Sequence, residues 1–443
     1  MDTDNGEEIG VSNQAQKASL AKTLTLPQAI GLAITLVIGS GLLALPGLAY
    51  QGSGGAAIYA WIISTIISVP FLVIFANLGA RFPGAGGVAG FMQSAYSRRA
   101  SIPTEFLLLG TFVVGGPAMV ITGGHYFAAA FGMGEVGVVV GGLVVLLFAG
   151  TLNYLGARIS GRVQQILAAL LVLMLAAIAI IALLFGAKQG TGIAPVSQWT
   201  AGIPSIGLVF FAFVGWEMMS FTTEEFRNPK RDFPITLAVS FVIVTILYIL
   251  IAVAVQLVLP LADENLVSAP IAALLGSTLG ATSQRVIALI GFILVLANFT
   301  SGTWAGSRLV FSSAREGLLP AALSRVDART QTPRAAVIAT FLSFVPVLLV
   351  YLAGGISHGL LFQLAGVNFF TLYGLSVIAY IRLAQGRRAR LFGLLAMVLV
   401  IIVMYSFGGL LLYPAVLLAA GFLWVYLSGM RQARERREKQ IAA

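Results

Sequence analysis

The sequence has no cysteine, only two histidines and few charges, and each shortage closes off a kind of chemistry. Without cysteine there is no thiol nucleophile, thiolate metal site or disulfide framework, and the redox compartment is left unread. His125 and His358 alone do not make a multi-histidine metal centre. No His-Glu-x-x-His stretch is present. The Gly-x-Gly at 39–41 lies inside an apolar run, without the strand that a dinucleotide-binding turn requires. Only 9% of the 443 residues are charged, against ~25% in a soluble domain. Hydrophobic residues make up 58% and mean hydropathy is +0.96, so the chain reads as an all-α integral membrane protein. Its 50 glycines suit closely packed membrane helices.

Apolar runs of spanning length predict twelve transmembrane helices, at 26–50, 54–80, 104–131, 136–155, 158–186, 203–224, 233–259, 283–312, 335–353, 359–383, 391–408 and 410–430. The polar stretch 1–25, opening "MDTDNGEE", lacks the basic start of a signal peptide and reads as a disordered cytoplasmic tail. With both termini inside, 24 of the 26 Lys and Arg residues fall on the cytoplasmic side, leaving Lys188 and Arg285 outside. That asymmetry is the positive-inside pattern. The basic tail 431–443 ("RQARERREKQIAA") then faces anionic lipid headgroups or is a solvated run; net charge +10 is no sign of nucleic acid when so placed.

Two spans carry weak points. The first, "GLAITLVIGSGLLALPGLAY" (31–50), holds Gly39, Ser40, Gly41 and Pro46, and the sixth, "SIGLVFFAFVGWEMMSFTTEEFRNP" (205–229), holds Gly215 and Glu217. Five spans separate the two starts, so the second set enters from the opposite side. The expected organisation is a 5+5 inverted repeat, 26–186 against 203–383, with 391–430 appended. Interrupted spans at matching places in two halves point to a transporter's binding site. A break frees N–H groups on one fragment and carbonyls on the other. A carboxylate fits the N–H groups around Ser40 and Gly41, and an ammonium fits the carbonyls of Val37, Ile38 and Phe213. Glycines in membrane helices also serve close packing, as the Gly137/Gly141 and Gly302/Gly306 pairs read.

Five blocks, "IGSGLLALP", "RFPGAGGVAGFMQSAY", "NYLGARISGRVQQIL", "FVGWEMMSFTTEEFRNPKRDFP" and "SRLVFSSAREGLLP", resemble those of amino acid–polyamine–organocation transporters over residues 26 to about 430. Within that superfamily the chain is most similar to bacterial exporters of methionine and branched-chain amino acids. The resemblance implies a LeuT-like fold with discontinuous helices 1 and 6, alternating access, a small amino acid as partner and a place in the bacterial plasma membrane. It assigns Ile38, Ser40 and Gly41 to the substrate segment of helix 1, and Phe211, Val214 and Gly215 to the contacts of helix 6. Phe211 takes the place of a gating aromatic, and Glu217 matches an acid that members often carry. Proton-coupled relatives often have a lysine nine residues after the arginine of "RVQ"; here that position is Leu171, which argues against lysine-based coupling.

No cofactor and no resident metal are expected; the coupling ion, H+ or Na+, stays open. Glu217 is the one acid deep in a span, either a gating or proton-sensing group or a neutral carboxyl bonding the broken helix. Thr300, Ser301 and Thr303 offer hydroxyls to a sodium ion or bond their own helix's carbonyls. His125 relays protons or packs, His358 reads as solvated, and Asn368 lines the path or joins helices. The expected walls are Gly115, Met119, Phe210, Phe211, Phe213, Val214 and Gly302, apolar and suited to a neutral hydrophobic amino acid. The rivals are a carrier of another solute (a polyamine or nucleobase), proton-coupled amino acid uptake, a channel or an intramembrane enzyme.

Overall fold

The computed structural model describes residues 22–442 except 39, 264, 265, 267–269, 280–282 and 406, and for some helical residues the backbone only. The expected N-terminal tail lies outside the described residues up to Ala21. Among the described residues there is no strand, only an isolated bridge between Leu24 and Phe226. The helices are α1 (Leu26–Val37), α2 (Ser40–Ser53), α3 (Ala57–Arg81), α4 (Gly87–Ala95), α5 (Arg98–Phe131), α6 (Gly134–Leu155) and α7 (Ala157–Phe185). They continue with α8 (Ile206–Phe210), α9 (Pro229–Val258), α10 (Pro270–Leu279), α11 (Ser283–Arg315), α12 (Arg334–Leu352), α13 (His358–Leu383), α14 (Arg387–Tyr405) and α15 (Leu412–Ala442). Ten helical stretches among the described residues are long and apolar enough to cross a bilayer, so the protein is a multi-pass membrane protein.

The first apolar run begins where local chemistry starts a helix. Thr25 precedes α1, its N–H donates to Gln28 Oε1 at 3.1 Å, and Pro27 sits in the first turn. The helix stops after 12 residues, where Ile38 leaves helical geometry at φ −74°, ψ 83°. The second fragment, α2, has 14 residues. At 1.5 Å per residue these rise ~18 and ~21 Å, so neither crosses a ~30 Å core alone. The stretch 206–225 is divided likewise: α8, a 3-10 turn at Phe211–Phe213, then a 3-10 helix at Trp216–Glu225 beyond Gly215.

Some elements extend past the apolar runs that announce them. α5 starts at Arg98, ahead of the apolar run from 104, and α15 carries on through the basic tail to Ala442. Polar side chains continue a helix readily once it has left the hydrocarbon. The short helices α4 and α10 and the 3-10 segment Val196–Ser205 were not expected from hydropathy, being too short to span. In packing, α1 lies against α7, α9 and α11, α3 against α9, and α5 against α6, α11, α13 and α15. The two interrupted stretches thus lie inside the bundle, with longer helices around them.

Candidate functional site

The two breaks meet. Gly215 has φ +123°, a backbone state open to glycine and strained for other residues. A Cβ placed there would lie 3.4 Å from the Leu36 carbonyl oxygen and 3.6 Å from Val37 Cα, so the turn abuts the end of α1. Tyr248 of α9 ties them together: its hydroxyl is 3.1 Å from both the Val37 and the Ala212 carbonyl oxygens, so one proton is shared between them. Its buried ring packs edge-on against Trp61 at 5.5 Å and Phe213 at 5.4 Å. From α11, Asn298 Nδ2 donates to the Thr35 carbonyl at 2.6 Å and the Leu36 carbonyl at 2.8 Å. The Thr35, Leu36 and Val37 carbonyls that end α1 are therefore held by side chains from α11 and α9.

Against this junction lies a cavity of about 150 Å³. Leu36 and Val37 line it from α1, Ala212, Val214, Gly215 and Met218 from the sixth apolar run, and Thr111, Phe112, Gly115, Gly116 and Met119 from α5. Asn298, Phe299, Gly302 and Thr303 come from α11, Phe344 from α12, and Ala365 and Phe369 from α13. These positions fall near the middle of α5, α11 and α12, which puts the cavity about halfway along the bundle. Gly116 is where α5 comes close to its neighbour, since a Cβ there would stand 2.4 Å from the Phe344 ring. Gly302, by contrast, faces only Met218 Cε at 3.8 Å. None of the described lining residues carries a charge. A chamber of this size with mostly apolar walls suits a small organic ligand.

Of the residues named from sequence, Gly115, Met119, Val214, Gly215, Gly302 and Thr303 line this cavity. Ile38 is buried one residue beyond the lining, its N–H returning to the Ile34 carbonyl at 2.9 Å. Phe210 and Phe213 are buried behind the wall, Phe210 against Phe71 and Phe370, Phe213 against Trp61 and Tyr248. Ser40 and Gly41 sit in the first turn of α2, and their side-chain positions, like that of Phe211, lie outside the described set. Gly39 is outside it altogether. Glu217 is fully buried behind the lining, where its Oε2 accepts the Gly215 N–H at 3.1 Å and so holds the turn. Leu171 is a buried core residue of α7.

The three hydroxyls of α11 each donate one turn back. Thr300 bonds the Leu296 carbonyl at 2.6 Å, Ser301 that of Ala297 at 3.0 Å and Thr303 that of Phe299 at 2.8 Å. Ser301 also meets the Thr35 hydroxyl of α1, and Asn153 Nδ2 donates to Thr303 Oγ1 at 2.9 Å. Asn368 is buried with neither side-chain atom partnered among the described residues. His125 is exposed near the end of α5, away from the cavity. The reading of His358 as solvated needs correcting: it is half-buried, and its Nε2 lies 2.9 Å from the Ala118 carbonyl and 3.0 Å from the Thr122 hydroxyl. The sequence Gly355-Ile356-Ser357-His358-Gly359 has the spacing of a hydrolase nucleophile turn, but here it leads into the start of α13, with Ser357 Oγ accepting the Leu360 N–H at 3.2 Å.

Sequence reasoning passed over Asn298, Tyr248 and the aromatic wall of Phe112, Phe299, Phe344 and Phe369. Asn298 had a readable signal, an amide in mid-span two residues before the hydroxyls that drew attention. A further group at one end of the bundle was also missed. Glu225, at the end of the 3-10 helix, is buried with Arg308 of α11 in an ion pair, and Arg308 Nη2 reaches Glu225 Oε2 at 3.3 Å. Trp304 Nε1 donates to the same carboxylate at 3.1 Å, and Leu24 N–H takes the Glu225 carbonyl at 3.0 Å. Next to it Glu224 receives Arg315 in a two-point pair at 2.9 and 3.0 Å and the Ala85 N–H at 3.2 Å. The segment before α1, the turn after α3, the end of the sixth apolar run and the end of α11 are thereby fastened together.

A membrane-spanning helical bundle with a small apolar chamber halfway along it, built on two interrupted helices, has the layout of a solute permease. Residues 24–430 match the amino acid permease family, and the chain belongs to it. It is 27% identical over 412 residues to the uncharacterized amino acid permease YecA of Bacillus subtilis. It is 28% identical over 410 residues to the L-methionine/branched-chain amino acid exporter YjeH of Escherichia coli. Both alignments cover 93% of this chain and 97% of the relative. The human b(0,+)-type amino acid transporter 1 is 26% identical over 397 residues, 85% of this chain and 79% of that protein.

Proposed function

We propose that this permease is a secondary active transporter of neutral hydrophobic amino acids, methionine- and leucine-like, working by alternating access in export or exchange. One observation carries the reading: the chamber at the two helix breaks is small, apolar and free of charged side chains among its described lining residues. Broken helix ends suit the charged ends of a zwitterion, and the walls suit an aliphatic or thioether side chain. A polyamine would need an anionic partner, and Glu217 lies behind the wall rather than in it. Export is favoured by the similarity to the Escherichia coli L-methionine/branched-chain amino acid exporter. In this reading α1 with α2, and 206–225, each cross once, giving twelve crossings, an inverted repeat over 26–186 and 203–383, and both termini in the cytoplasm of a bacterium.

Thr300, Ser301 and Thr303 each give a hydroxyl proton to a carbonyl of their own helix, as packing hydroxyls do, and exchange without sodium is the reading put to test. The test is counterflow of radiolabelled leucine and methionine in proteoliposomes, with putrescine as the cationic control. Exchange of leucine and methionine, unaffected by putrescine or by replacing sodium with choline, is the expected result. Exchange of putrescine but of neither amino acid would overturn the substrate assignment, and stimulation by sodium would return the hydroxyls to cation binding.

A further inference from the structure

Asn298 stands where α11, the end of α1 and the cavity come together, and its orientation is fixed by chemistry. The group facing the Thr35 and Leu36 carbonyls at 2.6 and 2.8 Å must be the NH2, because the oxygen would there confront two other oxygens. The carboxamide oxygen is thereby turned the other way. It accepts from no described group, it is not sealed off, and the residue lines the cavity. The neighbouring carbonyls of Leu36 and Val37 already accept from Asn298 and Tyr248. Elsewhere on the lining the side-chain oxygens are the hydroxyls of Thr111 and Thr303, and both donate to their own helix, at 2.8 Å to the Leu107 carbonyl and 2.8 Å to that of Phe299.

We infer that Asn298 Oδ1 is the side-chain acceptor for the primary ammonium of the transported amino acid, while its NH2 keeps the broken end of α1 in place. The inference rests on the amino acid reading above and adds to it the group that selects for a free amine. An ammonium brings three donors. The spare lone pairs of Leu36 and Val37 can meet two of them, and Asn298 Oδ1, whose acceptor capacity is unused, meets the third. Because the same amide grips α1, occupancy by an amine stiffens the link between α1 and α11, whereas a ligand without an amine leaves that link as it is.

The test measures binding of leucine and of its desamino analogue, 4-methylpentanoate, to the purified full-length protein and to Asn298→Leu, an apolar side chain of similar size. Leucine affinity should fall about 10- to 100-fold further than 4-methylpentanoate affinity in the variant, the range for a hydrogen bond to a charged group, since loss of the NH2 acts on both ligands and loss of the acceptor on leucine alone. A purely structural role would weaken both ligands alike, and that result overturns the inference. Asn298→Ser keeps an acceptor oxygen in a smaller side chain and should recover part of the preference for leucine. If neither variant folds, the unaltered protein decides: 4-methylpentanoate competing as well as leucine would mean that no ammonium acceptor operates. An unaltered protein that exchanges no neutral amino acid fails the functional reading itself. One that exchanges leucine, with Asn298→Leu retaining its affinity within twofold, fails this inference alone.

Discussion

Replacing Gly215 with alanine separates space from backbone conformation at the meeting point of the breaks. The new methyl group would stand 3.4 Å from the Leu36 carbonyl oxygen and 3.6 Å from Val37 Cα, ordinary contact distances, so crowding contributes little. The backbone is another matter, because φ is +123° and alanine resists that region. Strain of this kind costs about 1–3 kcal/mol. A residue that avoids it must turn the peptide, breaking the 3.1 Å bond from the Gly215 N–H to Glu217 and moving the junction away from Val37. If binding needs the turn as it stands, its population falls about 5- to 150-fold, and the apparent Kd for leucine rises by the same factor. Scintillation proximity binding on purified protein, alongside a thermal melt, measures both. A variant that melts as the parent does and binds leucine with the parent's affinity would refute the claim that this strained turn forms the site.

Gly302→Ala tests the opposite case, a glycine in ordinary helix whose added methyl faces only Met218 Cε at 3.8 Å. The protein should melt no lower, since alanine favours a helix over glycine, while competition assays should show larger side chains losing about 10-fold against smaller ones; an unchanged ranking would place the substrate elsewhere. Tyr248→Phe removes the hydroxyl shared by the Val37 and Ala212 carbonyls. It should cost about 1 kcal/mol and lower the thermal midpoint. Arg308→Met leaves the Glu225 carboxylate buried and unpaired, which should destabilise by about 3–5 kcal/mol, whereas adding Glu225→Gln should restore most of the loss. A double variant as unstable as the single one would mean that packing, not charge, accounts for the effect.

Hydropathy made the long helices legible because an ~20-residue apolar run has few other uses. The breaks were legible for a local reason, since Gly39, Gly41, Pro46 and Gly215 weaken a helix wherever it lies. Short elements escaped: α4 and α10, of nine and ten residues, never reach spanning length. The cavity wall was only half legible. Glycines at 115, 215 and 302 mark places where a wall is thin, but nothing in the periodicity of an all-apolar helix says which phenylalanine turns inward, so Phe210 and Phe213 were picked where Phe112, Phe344 and Phe369 line the space. Asn298 and Tyr248 were hidden for a different reason. Each acts on a carbonyl more than 200 residues away in sequence, and such a partner exists only once the fold has formed. His358 looked like a surface residue at a helix start until α5 supplied the Ala118 carbonyl.

The buried Glu225–Arg308 pair has a consequence for the medium around the protein. Closed, that end of the bundle keeps two full charges dry. Any state that parted the end of the sixth apolar run from α11 would have to hydrate both ions, taking up water with the separation. Solutes that are excluded from protein surfaces lower the activity of that water. Such solutes would therefore weight the buried pair over a hydrated one, a dependence on the surroundings set by a contact outside the cavity.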